Sequence, residues 1–328
     1  MFRPDLNIVR EKERLSPAGR KPFDVVLMFK ILILKKLHNL SDEKTEEKVR
    51  DSISWRDFLD LEFSDIVPDA KTIWLFAEQL KDLGLERALF DRFDAYLVAE
   101  GFHAKSGLIV DGSFVEVPKQ RNTKEENEQI KKGEISETIS SNPHVLAQKD
   151  TDARWTEKNG VSYFGYKDHV LGDDEYKFIR DYAVTDAAVH DSVPYLSVLP
   201  EKAAYADQEA FGDSAYVGKE TEEEVLERGF LPMICEKGFR NKPLSEEQKT
   251  MNKMKSSVRC RIEHIFGAMK VRCRDEILRT IGLERAAFWI GIRNLVYNLG
   301  RFVSLKCPKP AKVRWGCAHW RNFWSFSE

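Results

Sequence analysis

One short run of apolar residues with an acid at its centre limits the folds open to this chain more than any other feature. The run from Leu108 to Val117 is rich in β-branched side chains, and Pro118 ends it. Runs of this length and composition are typical of buried strands. We therefore predict a buried strand that carries the carboxylate of Asp111 in its middle.

Two further strand-like runs predict an antiparallel meander with this first strand. They are Tyr163–Leu171 and Lys177–Val184, and the turn residues Gly172–Asp174 lie between them. Residues 119–158 lie between the first and second strands, are rich in Lys, Glu, Asn and Ser, and have almost no apolar periodicity. We expect these residues to form a long mobile loop.

The elements after the meander alternate between helix and strand. Short helices are predicted near 192–199 and 219–228, strands at 205–213 and 230–235, and further helices across 246–304. Three strands followed by helix, strand, helix, strand and helix is the element order of the ribonuclease H-like fold. We therefore predict an α/β domain with a mixed five-stranded sheet flanked by helices.

The N-terminal part of the chain has a helical pattern instead. Apolar positions recur at helical spacing from Val25 to Leu37, and Ser41 and Asp69 stand where the N-cap residues of helices are expected. We predict a helical N-terminal domain over 1–103, the ribonuclease H-like domain over 104–305, and a basic aromatic tail over 306–328.

The C-terminal quarter is the basic part of the chain, although the formal charge of the whole chain is −2. Residues 251–328 contain 16 Lys or Arg against 5 Asp or Glu. A polyanion suits such a block, because each neutralised phosphate releases counterions; a solvated helix face is the alternative. Basic residues alternate with Trp and Phe in the tail, which favours either contact with a nucleic-acid strand or packing on the chain's own domain.

Three acids stand at positions that a ribonuclease H-like sheet brings to one edge. Asp111 lies on the first strand, Asp213 at the end of a later strand and Glu263 on a late helix. Such carboxylates suit two hard cations, Mg²⁺ or Mn²⁺, which together activate a nucleophile and stabilise a leaving oxygen in phosphodiester chemistry. The alternative is that Asp111 ends a strand, Asp213 begins a turn and Glu263 is one of many exposed acids.

The neighbours of Glu263 favour the metal-binding interpretation. Arg259 and Lys270 flank it at offsets that bring all three side chains to one stripe of a continuous helix. Glu263 would then bind metal while the two cations bind the scissile and neighbouring phosphates. An ordinary solvated face with an ion pair between Arg259 and Glu263 is the alternative.

These motifs resemble those of the DDE transposases of bacterial insertion sequences, in the insertion-sequence-five-like group. That group carries a Tyr-x₂-Arg-x₃-Glu-x₆-Lys motif, which Arg259, Glu263 and Lys270 match, whereas Ser256 stands in the place of the Tyr. The resemblance covers most of the chain, through the segments 20–24, 40–42, 67–69, 109–113, 165–169, 184–185, 190–192 and 212–216. It implies that the helical N-terminal domain assists binding of the element ends.

The resemblance also implies a DNA transposase that cuts and rejoins DNA with Asp111, Asp213 and Glu263 on two Mg²⁺ or Mn²⁺ ions. Its partners would be double-stranded DNA, as terminal inverted repeats and target, and at least a second copy of the chain in the synaptic complex. Arg259, Lys270 and Lys167 are the expected DNA-binding residues. Two other functions remain open: a DNA-binding relative that no longer cleaves, and a ribonuclease H-like nuclease or resolvase that acts on other nucleic acids.

We expect a cytoplasmic protein that associates with the nucleoid when it acts and that has no membrane partner. The apolar run from Phe23 to Leu34 contains Lys30 and is too short to span a bilayer, and no secretory signal is evident. The five cysteines form no CxxC pair, which fits reduced thiols.

Overall fold

The computed structural model describes residues 1–11, 21–158, 160–238, 243–273 and 277–306. These residues form two compact units. The helical unit contains residues 1–102, 271–273 and 291–306, and the sheet unit contains residues 103–270 and 277–290, as far as they are described. The predicted domain limits of 1–103 and 104–305 follow chain order, whereas residues 291–306 cluster with the helical unit. Apart from Lys306, the predicted tail lies outside the described residues.

In the described ranges before residue 103, the helical unit contains seven helical elements. They are α1 (Arg3–Asn7), a 3₁₀ turn (Ile8–Arg10), α2 (Val25–His38), α3 (Asp42–Asp51), α4 (Ile53–Phe58), α5 (Ala70–Asp82) and α6 (Leu85–Ala99). The predicted N-caps are confirmed, because the side chain of Ser41 accepts a hydrogen bond from the backbone N–H of Lys44, and Asp69 accepts one from Thr72. No helix in the described ranges is long and apolar enough to cross a membrane.

The sheet unit alternates strands and helices over a longer stretch of chain. Its elements are β1 (Gly107–Glu116), α7 (Lys124–Lys131), α8 (Glu137–Ser140), α9 (Pro143–Leu146), β2 (Arg154–Lys158), β3 (Val161–Asp173), β4 (Ile179–Asp186), α10 (Ser192–Val198), β5 (Glu209–Gly212), α11 (Lys219–Glu227), β6 (Leu231–Ile234), α12 (Glu246–Arg259), α13 (Arg261–Arg272) and the start of α14 (Leu283–Lys306). The last helix begins in the sheet unit and ends in the helical unit.

The sheet combines an antiparallel meander with two parallel strands. β3 pairs with β1 and β4 in antiparallel fashion, which confirms the predicted meander, and β5 runs parallel to both β1 and β6. The spatial order is therefore β4-β3-β1-β5-β6. The prediction of five strands is wrong by one, because β2 pairs with residues 161–165 of β3 and makes a sixth strand.

A cluster of buried side chains packs α10 and α11 onto one face of the sheet. It includes Leu108 and Val110 of β1, Leu171 of β3, Tyr195 of α10 and Val225 of α11. The alternation of side chains along a strand therefore turns the intervening residues of β1, Asp111 among them, to the opposite face.

The predicted mobile loop over 119–158 is also wrong, because this segment folds into α7, α8, α9 and β2. Thr123 and Glu126 form a reciprocal capping box at the start of α7, and the side chain of Asn142 caps α9. Ile130 and Ile139 are buried. Local caps and a few buried side chains thus order a segment whose polar composition hides any apolar periodicity.

A buried hydrogen bond ties the end of this segment to β3. Asp150 is 2% exposed, and the hydroxyl of Tyr166 lies 2.8 Å from both of its carboxylate oxygens and donates to them. The backbone N–H groups of Asp152 and Ala153 also donate to Asp150. Burial and the charge of Asp150 raise the pKa of Tyr166, so the hydroxyl remains a donor at neutral pH.

We expect Tyr166→Phe to lower the free energy of unfolding by about 1–3 kcal/mol, because it leaves a buried carboxylate short of one donor. Urea denaturation of the full chain measures the loss. Tyr163→Phe is the matched control, since Tyr163 is a half-exposed tyrosine of the same strand whose ring stacks on Phe114. Equal stability of the two variants would contradict the assigned role of the hydroxyl.

Candidate active site

Asp111 lies in the middle of β1, and only 17% of its side chain is exposed. Its Oδ1 atom accepts a 2.8 Å hydrogen bond from the backbone N–H of Gly112, and its Oδ2 atom lies 3.1 Å from Nη1 of Arg259. Burial raises the pKa of Asp111 to about 6, and the charge of Asp213 adds to the rise, whereas Gly112, Arg259 and Lys158 oppose it. The neighbouring groups of the protein therefore stabilise the negative charge of this carboxylate only in part.

Asp213 directly follows β5, the strand beside β1. The parallel register pairs Gly107 with Glu209, so continuing it by equal steps along both strands brings Asp213 level with Asp111. The Asp213 Oδ1 atom accepts a 2.6 Å hydrogen bond from the backbone N–H of Ala215, which orients its carboxylate in the turn. The influence of Asp213 on the pKa of Asp111 shows that the structure brings these two predicted acids together.

The helix that carries Glu263 packs on the face of the sheet to which Asp111 points. Gly172 of β3 lies opposite Ile109 of β1, and Ile109 shares a face with Asp111 because both are odd-numbered positions of one strand. A Cβ atom added to Gly172 would lie 2.7 Å from Cδ1 of Ile265 in α13. The absence of a side chain at Gly172 therefore allows α13 to approach the sheet closely.

An ion pair fixes the start of the same helix. Nη1 of Arg261 lies 3.1 Å from Oδ2 of Asp174, in the turn after β3. The other carboxylate oxygen of Asp174 accepts hydrogen bonds from the Ser106 hydroxyl and from the backbone N–H of Gly107. The first turn of α13, which contains Glu263, is thus held to the N-terminal end of β1 and the end of β3.

The predicted continuous helix from Arg259 to Lys270 is interrupted. α12 ends at Arg259, Cys260 lies between the helices with φ −58° and ψ −14°, and α13 begins at Arg261. The ψ of Cys260 departs from the helical value near −42°, and the N–H of Glu263 bonds to the carbonyl of Cys260, three residues earlier instead of four. Arg259 consequently pairs with Asp111 rather than with Glu263.

Glu263 and Lys270 are both exposed on α13. Among the described residues, no three His, Cys, Asp or Glu side chains stand close enough together to hold a metal ion. The structure therefore brings together the first two predicted acids and leaves the third on a neighbouring helix of the same face.

Lys167 is buried instead of presented to solvent, with 8% of its side chain exposed. Its Nζ atom donates to the backbone carbonyl of Val189 at 2.6 Å and lies 2.9 Å from Oδ1 of Asp191. The ammonium also lies 5.4 Å from the ring centroid of Phe114. Lys167 thus holds the loop after β4 against β1 and β3, and its ammonium group does not face open solvent as a DNA contact would require.

Two residues near the acid pair were not among the predicted site residues. Asp191 precedes α10, and Tyr216 follows Asp213 in the turn after β5. Burial raises the pKa of Tyr216 most, and the charges of Asp111, Asp191 and Asp213 raise it further. Both lie in the segments 190–192 and 212–216 that carry the family resemblance, in the loops that follow β4 and β5.

Two transposase family models match the chain. The model described as Transposase DDE domain matches residues 102–299, and the model described as Transposase domain (DUF772) matches residues 6–79. The chain belongs to the DDE transposase family. Its function is DNA transposition, and members of this family generally use divalent metal ions.

One solved structure similar to this transposase is a cryo-EM structure of the piggyBac transposase synaptic complex with hairpin DNA. The two chains are 10% identical, and the match covers 98% of this chain and 75% of that chain with a TM-score of 0.47. A TM-score of this size does not establish a common fold.

The donor atoms at the acid pair of this transposase suit a divalent metal ion. Asp111 and Asp213 offer carboxylate oxygens, which are the ligands that hard cations prefer. The raised pKa of Asp111 is the expected mark of a site with a deficit of positive charge, since burial and a neighbouring carboxylate both disfavour its ionised form. Arg259 supplies one positive charge there and does not remove the deficit.

We expect Asp111 to make the stability of the metal-free transposase depend on pH. Its folded pKa of about 6 lies above the ordinary value of 3.8, so between these values the folded chain binds the extra proton and stability falls as pH rises. Relative to Asp111→Asn, the wild type should lose on the order of 2 kcal/mol from pH 4 to pH 7. Urea unfolding in EDTA measures this difference, and parallel pH profiles of the two proteins would contradict it.

Proposed function

We propose that this transposase cleaves the ends of an insertion sequence and transfers their strands to target DNA, with Asp111, Asp213 and Glu263 as ligands of two Mg²⁺ or Mn²⁺ ions. The observation that carries the proposal is the position of Asp111 and Asp213 on adjacent strands of the sheet, where the charge of Asp213 raises the pKa of Asp111. The match of the chain to the DDE domain model supports it.

The topology of the sheet supports a ribonuclease H-like catalytic domain. An antiparallel meander of β1, β3 and β4 is extended beyond β1 by the parallel strands β5 and β6, and helices follow each parallel strand. In that arrangement the central strand β1 carries the first acid and its parallel neighbour β5 the second. A late helix of the domain then supplies the third acid, and α13 with Glu263 occupies that place in the chain.

The residues of the site have distinct parts in this proposal. When bound, the divalent ions would activate a water or a 3′ hydroxyl and stabilise the charge on the leaving oxygen. Asp111 and Asp213 orient their carboxylates through Gly112 and Ala215. Glu263 stands in the first turn of a helix that covers the same face of the sheet.

Arg259 and Lys270 are the proposed phosphate-binding residues. Arg259 ends α12 beside Asp111, so its guanidinium is already at the site of the chemistry, and Lys270 is exposed on α13. Arginine binds phosphate oxygens in a bidentate manner and lysine as a point charge. Lys167 is buried, so we propose that it contributes to DNA binding only indirectly, by holding the loop of Asp191 in place.

The proposal includes at least two copies of the chain on two element ends, because strand transfer must join both ends to one target. It also includes the terminal inverted repeats and target DNA as the partners of the basic C-terminal part.

Ser256, which stands in the place of the motif Tyr, has its hydroxyl 3.6 Å from the sulfur of Cys235. The hydrogen bonds described for Asp111 and Asp213 do not involve Ser256.

We expect Asp111→Ala, Asp213→Ala and Glu263→Gln each to reduce Mg²⁺-dependent nicking of element-end DNA by about a thousandfold or more, because each removes a proposed metal ligand. A gel assay of nicking and strand transfer measures the loss, while binding of the same DNA in EDTA should persist. Glu247→Gln is the matched control, as Glu247 is an exposed acid near the start of α12. Normal nicking by Glu263→Gln would remove Glu263 from the ligand set.

We expect Arg259→Ala to separate metal binding from cleavage. The guanidinium is a cation that competes with a metal ion for Oδ2 of Asp111, so the variant should bind Mn²⁺ at least as tightly as the wild type by calorimetry. Its nicking of end DNA should nevertheless fall about a hundredfold, because a phosphate-binding cation is lost. Lys253→Ala, an exposed cation of the same helix, serves as control. Weaker Mn²⁺ binding by Arg259→Ala would show that the guanidinium only supports the fold of the site.

A further inference from the structure

We propose that a cavity beyond the end of β1 binds a phosphate-bearing nucleotide of the element-end DNA, at a distance from the acid pair. The inference rests on the proposed function, since it assigns a second contact for the same DNA. The cavity has a volume of about 580 Å³ and lies between the residues that follow β1, the end of α9 and the residues that precede α14. All of its lining residues belong to the sheet unit.

The charge of the lining is strongly positive. Lys119, Arg121, Lys149 and Arg279 contribute to it, and Asp150 is the acid among the lining residues. The carboxylate of Asp150 is bonded to the Tyr166 hydroxyl and to two backbone N–H groups and is therefore turned to the protein. The ammonium of Lys149 already donates to the backbone carbonyl of Arg121 and to the side chain of Asn122, whereas Lys119, Arg121 and Arg279 are exposed. The lining therefore carries an excess of positive charge, and an anion is the ligand it would attract.

The remaining lining suits the other parts of a nucleotide. Val117, Val145 and Ile281 provide apolar walls, which a base or a sugar can contact. A cavity of this size exceeds what an isolated phosphate would fill, because sites of about 300–1,000 Å³ hold whole small molecules.

The position of the cavity relative to Asp111 favours DNA as the source of the nucleotide. Val117 follows Asp111 by six residues in an extended chain, which at about 3.3 Å per residue places the cavity about 20 Å from the acid pair. One DNA strand rises about 3.4 Å per nucleotide, so a strand that is cut at Asp111 reaches the cavity after about six nucleotides. The indole of Trp155, near the ammonium of Lys119, is exposed on the same side.

Charge reversal in the cavity tests the proposal on the full chain. The test variant is Lys119→Glu with Arg279→Glu, and the matched control is Lys105→Glu with Lys202→Glu, two exposed lysines of the same unit with the same total change of charge. Fluorescence anisotropy in EDTA measures the affinity for labelled end DNA as salt is raised. We expect the test variant to weaken binding about tenfold more than the control and to reduce the salt dependence by about two phosphate contacts.

Two further measurements distinguish a nucleotide of the DNA from a free nucleotide as the ligand of the cavity. End DNA that is shortened to about four nucleotides beyond the cleavage point should bind the wild type and the test variant with a much smaller difference. ATP is the probe for a free nucleotide, and stabilisation of the wild type by ATP, absent in the test variant, would overturn DNA as the ligand. Equal losses in the test and control variants would overturn the site altogether.

The outcome for this cavity is separate from the outcome for the acid pair. If the wild type binds end DNA in the expected manner and yet fails to nick it in Mg²⁺ or Mn²⁺, the proposed cleavage activity fails while the cavity proposal stands. If nicking is normal and the charge reversals behave alike, the cavity proposal fails alone. Thermal melting of the wild type and both variants shows whether the variants remain folded.

Discussion

The burial of one carboxylate in the centre of a sheet is the constraint on which the rest of the site depends. Asp111 cannot hold its charge in the middle of β1 without neighbours that stabilise it, because an isolated charge in a low-dielectric environment is costly. Arg259 and the N–H of Gly112 provide part of that stabilisation. The end of α12 and the central strand are therefore linked by an electrostatic requirement as well as by packing. The pKa of Asp111 nevertheless remains raised, so these neighbours stabilise its charge only in part.

The registers of the strands then decide which other groups surround the carboxylate. Gly112 lies opposite His169, and a Cβ atom at Gly112 would come within 3.3 Å of the His169 Nδ1 atom and 3.6 Å of the Asp191 Oδ1 atom. The residue after Asp111 must therefore be small for the Asp191 loop to approach. Burial lowers the pKa of His169 to about 4, so this ring is neutral at physiological pH and adds no positive charge beside the acids. The excess of negative charge around Tyr216 is thus a property of the sheet geometry.

The sequence predicted five of the six strands and assigned Asp111 and Asp213 to two of them, because strands depend on short local patterns. Apolar β-branched runs mark strands, and the order of elements limits where Asp111 and Asp213 can meet. The errors arose where distant partners decide the outcome. β2 is a strand because the first residues of β3 pair with it, and the segment before it is ordered because Asp150 meets Tyr166. Neither partner can be recognised from the polar composition of residues 119–158.

Lys167 and the break at Cys260 illustrate a second limit of sequence reasoning. A lysine in a strand next to an acid-bearing strand has the spacing of a phosphate contact, yet the loop after β4 supplies a carbonyl and a carboxylate that enclose its ammonium. The spacing of Arg259, Glu263 and Lys270 fits one helix, yet no Gly or Pro stands at the interruption at Cys260. In both cases the sequence identified residues near the site, and tertiary contacts assigned their partners.

The break at Cys260 separates a cation from an acid in a way that bears on how the site is completed. With Arg259 turned to Asp111, the acid pair receives positive charge while Glu263 remains hydrated on α13. A third carboxylate that approached the pair would add repulsion where Asp213 already disfavours the ionised form of Asp111. Its approach becomes favourable only when additional positive charge reaches the pair. In the proposed three-acid site, the approach of Glu263 to the pair would therefore be coupled to cation binding by Coulomb's law.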